Sequence, residues 1–224
     1  MEIGSIGSPS ARNKGEVGVT PGKLARKILG RYTVPVGNVY RRIFVDLGVI
    51  ADHFESAIPR NARILDIGGG DGAPMQFLLD RRPDLTVTMC DLAPSIGGFL
   101  SPENRAKVTL FPATDLSDIS GQFDCVTIAD VIHHIPVDQR SSFFSRLAEG
   151  CQRWGCRKLL FKDVEPGSWR SVASLLSDWY ITGDRHVVLF PRAEFAGMID
   201  RYFPGAERTS TMPDWPNYCE VVSW

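Results

Sequence analysis

"ARILDIGGGDGAP", residues 62–74, decides how this chain folds. A short apolar run ends at Ile67, and four glycines (68, 69, 70 and 72) follow within five residues. Glycine permits positive φ and close approach of a ligand to the backbone. A tight strand–helix turn needs fewer glycines than this, so the loop reads as the lining of a ligand site. In an open parallel sheet such a site lies outside the carboxyl ends of the strands, where the strand order reverses.

Outward from this turn, short apolar runs alternate with amphipathic segments. The runs 62–67, 85–91, 107–112, 123–130 and 158–164 read as strands. The clearest helix between them is 137–152, where Phe143, Phe144, Leu147 and Cys151 share a face. Near-continuous apolar strands alternating with helices predict an α/β fold: a Rossmann-like parallel sheet covered on both sides. A helix over 191–202 precedes "AERTSTMPDWPNYCEVVSW", which predicts an antiparallel hairpin at one edge. Upstream, Tyr40, Ile43, Phe44, Leu47, Ile50 and Phe54 form one apolar stripe, with Asn38 as cap and Pro59 as stop. The expected organisation is a mobile tail over 1–21, an N-terminal helical cap over 22–60 and one domain over 61–224.

The totals narrow the partners. Over 224 residues the net charge is −1, without the basic excess usual in nucleic-acid-binding domains. No run approaches the length of a membrane span. The first residues lack a cationic start followed by an apolar stretch, so no secretion signal is expected. Five cysteines without a CxxC pair suggest reduced thiols and a cytoplasmic location. Oligomeric state is not legible.

The spacing of Gly68, Gly70 and Ala73 also satisfies a dinucleotide-binding pattern, so a nicotinamide or flavin cofactor is allowed. Asp71 and Asp66, however, would lie beside the pyrophosphate and repel it. A ligand carrying an ammonium and a sulfonium would be attracted, which points to S-adenosyl-L-methionine. Here the chain resembles the class I S-adenosylmethionine-dependent methyltransferases, in the small-molecule branch that includes quinone-biosynthesis and sugar methyltransferases. Their first motif, an acidic residue followed by alternating glycines, is matched by Asp66, Gly68, Gly70 and Gly72. The resemblance implies seven strands with reversed last strands, and further cofactor contacts. Asp91 would bind the ribose hydroxyls and Leu92 flank adenine. Asp115, with Thr114 beside it, would reach the adenine amino group, and Asp130 would lie near the methionine end.

Methyl transfer needs an aligned acceptor, exclusion of water and often removal of a proton. The fourth strand ends in "ADVIHHIP", similar to the His-His endings of that branch. His133, His134, Lys162, Asp163 and Glu165 belong to the ends of strands four and five. These strands are adjacent in this topology, so His133 is expected to meet Asp163 as an oriented general base. His134 and His186 are the alternative bases. Trp179, Tyr180 and Tyr40 are candidates for holding the acceptor, and no carboxylate pattern for a metal is found. The expected reaction is O-methylation of a small, natural-product-like molecule. N- or C-methylation and methylation-triggered rearrangement stay open, and the rivals are a hydride-transferring oxidoreductase and a non-catalytic binding module.

Overall fold

The computed structural model describes residues 47–92, 96–112, 115–172, 187–214 and 216–224. Its helices are α1 (Leu47–Ala57), α2 (Ala73–Arg81), α3 (Pro102–Arg105), α4 (Val137–Trp154) and α5 (Arg192–Tyr202). Its strands are β1 (Arg63–Ile67), β2 (Thr86–Asp91), β3 (Val108–Pro112), β4 (Cys125–Ala129), β5 (Lys158–Val164), β6 (Glu207–Asp214) and β7 (Asn217–Ser223).

All seven strands join one sheet in the order β3-β2-β1-β4-β5-β7-β6. The first five are parallel, and β7 is antiparallel to both β5 and β6. The order reverses between β1 and β4, so the crevice at their carboxyl ends is the expected ligand position. Register places Asp66 beside Thr127 across β1 and β4, and Ala129 beside Lys162 across β4 and β5. The five parallel strands fall on the five apolar runs read from the sequence, and the hairpin closes the edge as expected.

The strands are apolar because both faces are covered. On one face, Phe144, Leu147, Trp154, Phe195 and Ile199 of α4 and α5 meet Leu65, Val126, Ile128 and Phe161. On the other, Ile50, Phe54, Met75 and Leu78 of α1 and α2 meet Ile64, Val87, Cys125 and Leu160. The described part of the N-terminal helical segment is thus a layer of the core, packed on α2 and on β6 and β7. The rest of that segment and the expected tail lie outside the described residues. All five cysteines are buried and unbridged. Among the described residues, no helix is long and apolar enough to cross a membrane.

Candidate active site

The glycine turn hangs from the end of β2. The Gly68 and Gly69 N–H groups donate to the Cys90 carbonyl at 2.8 and 3.1 Å. Gly68 has φ 72°, and a Cβ there would lie 2.4 Å from Val131 Cγ2, so only glycine fits under the β4 turn. Gly70 has φ 51° and the opposite surroundings: its nearest obstacle to a Cβ would be 3.9 Å away. Its N–H donates to Asp91 Oδ2 at 2.7 Å, so open backbone and a carboxylate stand side by side. Leu92 follows, 79% exposed. Gly72 caps α2, and Asp71 Oδ1 accepts the Ala73 N–H at 3.1 Å. The carboxylate thus takes an N–H at the helix start that a phosphate would otherwise use.

Asp66 lies beneath this turn, 4% exposed, and accepts from Thr127 Oγ1 at 2.7 Å. Burial pushes its carboxyl up to about 6 against the lowering effect of the Thr127 bond, and the Asp91 charge adds to the rise. Asp115 has a different employment. It accepts the Ser117 N–H at 2.8 Å to cap the short 3-10 turn Leu116–Asp118, and pairs with Arg146 at 2.6 Å. These bonds hold its carboxyl below the usual carboxylate range.

The β4 and β5 ends carry the charged side of the site. His133 Nδ1 lies 2.6 Å from Asp163 Oδ1, and the two side chains are 3% and 0% exposed. Asp163 Oδ1 also accepts the Val164 N–H at 2.8 Å, while the buried Oδ2 has no hydrogen-bond partner among the described residues. His133 belongs to a 3-10 turn (Ile132–His134) pinned from outside, because its carbonyl accepts the Val188 N–H at 3.0 Å. Buried Arg140 ties the neighbourhood together through the Ile135 and Val188 carbonyls and Glu194. The His134 ring stands 4.3 Å from that of His133, centroid to centroid.

Asp130, one residue before Val131, has φ 57° and a side chain 40% exposed. Lys162, 2% exposed, donates to both its oxygens at 2.5 and 2.7 Å. Burial pushes Asp130 up, but the Lys162 ammonium and the His133 imidazole outweigh it, and its carboxyl lies below the ordinary value. One ligand atom each from Asp130, His133 and Asp163 lies within 4.8 Å of the others, a spacing suited to a cation. One of the three, Asp130, is already paired with the Lys162 ammonium.

The sequence-predicted residues therefore fall into two groups at one crevice: Asp66, Gly68, Gly70, Gly72, Asp91 and Leu92 beside β1 and β2, and Asp130, His133, His134 and Asp163 beside β4 and β5. Asp115 stands apart at the start of its 3-10 turn. Thr114, Tyr40, Trp179, Tyr180 and His186 lie outside the described residues. Sequence reasoning assigned no role to Thr127, Val131, Arg140 or Lys162. Lys162 had a signal: a lysine inside the apolar run "KLLFKDV" must find an anion.

The fold is that of the class I methyltransferases, and comparisons with known proteins point the same way. Residues 65–156 match the family of methyltransferase domains. A curated relative, a ribosomal RNA small subunit methyltransferase G from Thermobifida fusca, is 32% identical over 92 residues. That match covers 33% of this chain and 38% of the relative. Among solved structures, the S-adenosylmethionine-dependent methyltransferase SibL superposes with TM-score 0.64 at 19% identity, over 91% of this chain and 61% of its own. The mitomycin 7-O-methyltransferase MmcR gives 0.56 at 19% identity, over 88% and 60%.

Proposed function

We propose that this chain transfers a methyl group from S-adenosylmethionine to a hydroxyl of a small, natural-product-like molecule. The buried His133–Asp163 bond beside the glycine turn carries this reading. Asp66, the turn from Gly68 to Gly72, Asp91, Leu92 and Asp130 would hold the cofactor, with Thr114 and Asp115 toward its adenine. The donor set fits: open backbone at Gly70 abuts a carboxylate suited to ribose hydroxyls, and Asp71 opposes a phosphate at the α2 N-terminus. When bound, S-adenosylmethionine supplies an electrophilic methyl group on a sulfonium.

Asp163 accepts Nδ1–H of His133 and so leaves Nε2 as the proton acceptor of the ring. His133 then removes the acceptor's O–H proton as oxygen attacks the methyl carbon, and Asp163 stabilises the imidazolium that results. Val188, two residues after His186, is bonded to the His133 turn. Trp179, Tyr180, His186 and Tyr40 are the residues assigned to hold the acceptor, on the resemblance alone. The net charge of −1 does not favour an RNA acceptor like that in the curated relative's name. Five buried, unbridged thiols fit a reducing, cytoplasmic location.

Calorimetric titration with S-adenosylhomocysteine and with NADH tests the cofactor. S-adenosylhomocysteine is expected to bind, and Asp91→Ala to weaken it by about 10- to 100-fold, the cost of lost bonds to a charged group. Binding of NADH without the adenosyl ligand would overturn the reading.

A further inference from the structure

Lys162 is the one lysine buried to 2% whose ammonium makes a carboxylate pair among the described residues. A lysine removed from water is costly unless paired, and this one meets its partner from the neighbouring strand. The Asp130 N–H donates to the Lys162 carbonyl at 3.0 Å while Lys162 Nζ holds both Asp130 oxygens. These bonds secure Asp130 in a left-handed conformation that few non-glycine residues adopt. Its carboxylate and that of Asp163 are both within 4.8 Å of a His133 ring nitrogen.

Two uncompensated carboxylates at that distance would keep the imidazole protonated at neutral pH, and a protonated imidazole takes no proton. We infer that Lys162 is a positioning residue for the base: its ammonium cancels Asp130, so that His133 feels one carboxylate rather than two. The consequence for the reaction rests on His133 being the base; the effect on the imidazole does not.

Among the described residues, the other charged groups on the elements packed nearby have partners of their own. Arg140 of α4 and Glu194 of α5 pair with each other at 3.1 Å. Asp66 on β1 is bonded to Thr127, and Glu165 after β5 accepts the Arg192 N–H at 2.7 Å. Arg192 pairs in turn with Glu220 of β7 at 2.7 Å. Tyr218 on β7 donates to the Phe190 carbonyl, and burial and the nearby acids push its hydroxyl up, which keeps it neutral. Among the described residues His134 is a further titratable neighbour, its ring 4.3 Å from that of His133.

The test is an NMR titration of the imidazole resonances in the full chain. The sequence has four histidines, and His133→Gln identifies the resonance of interest. Lys162→Met is expected to raise the His133 midpoint by about one to two pH units, the size of one charge at this range. Asp130→Asn, which leaves the ammonium alone, should lower it by a similar amount. Lys162→Arg and the double variant Asp130→Asn/Lys162→Met should both return close to the parent value. Midpoints that stay fixed, or that move the same way in the two single variants, overturn the inference. Should Lys162→Met fail to fold, the double variant set against Asp130→Asn decides: a higher midpoint in the double variant supports the inference, and equal midpoints overturn it. Methyl transfer unaffected by His133→Gln would remove the base reading, while opposite-signed NMR shifts would still establish the action of Lys162.

Discussion

The two halves of the crevice are built from different materials. Beside β1 and β2 the chain presents mostly backbone: a glycine turn hung on the Cys90 carbonyl, with the Asp91 and Asp71 carboxylates at its edges and Asp66 beneath it. Beside β4 and β5 it presents side chains, with His133, Asp163 and Lys162 buried and Asp130 at the mouth. Backbone donors recognise a ligand common to a whole class and need little support. Buried charges have to be paired one by one, because each unpaired one costs several kcal/mol. The difference suggests a division of labour, with binding on the first side and proton transfer on the second.

The most severe challenge to that division is His133→Ala. It should lower kcat by about 10²- to 10⁴-fold while S-adenosylhomocysteine affinity stays within about twofold, and Asp163→Asn should act in the same direction. An equal loss of affinity, measured by calorimetry, would merge the two halves. Next in size is Gly68→Ala. The added Cβ would strike Val131 and the residue would keep a positive φ, for about 2–4 kcal/mol of lost stability in denaturant unfolding. Because Val131 joins the glycine turn to the His133 turn, this variant should disturb both halves at once. Loss confined to cofactor binding would show them to be mechanically separate.

Asp66 gives the smallest effect and sharpens the comparison through pH. The unligated folded protein keeps a proton on Asp66 that the unfolded chain has released, so stability falls as pH rises from about 4 to about 6. A shift of this size corresponds to no more than about 3 kcal/mol. Asp66→Asn retains an acceptor for Thr127 and should flatten the Tm–pH curve in that window, leaving the variant more stable than the parent above pH 6. A curve with unchanged slope would mean that the buried carboxyl titrates elsewhere.

Much of the first half was legible because its determinants are local. Glycines at 68, 70 and 72 and acids at 66 and 91 need only a strand, a turn and the next strand to become neighbours. The His133–Asp163 bond was also within reach, since adjacency of β4 and β5 follows from the topology, His133 follows β4 in the next turn and Asp163 lies near the end of β5. Lys162 and Asp130 were less legible. Their pairing depends on the register that puts Ala129 opposite Lys162 and on the positive φ that turns Asp130 back over the strand end. Asp115 shows another limit: its bonds to the Ser117 N–H and to Arg146 were not legible from its motif position.

By itself, the sequence determined the alternating architecture and the glycine turn, because apolar periodicity and glycine spacing act over a few residues. It determined the candidate histidine as well. Only the tertiary structure decided which charge answers which, because a buried ion pair is selected by register, burial and distance across strands that lie 32 residues apart in the chain, as Asp130 and Lys162 do.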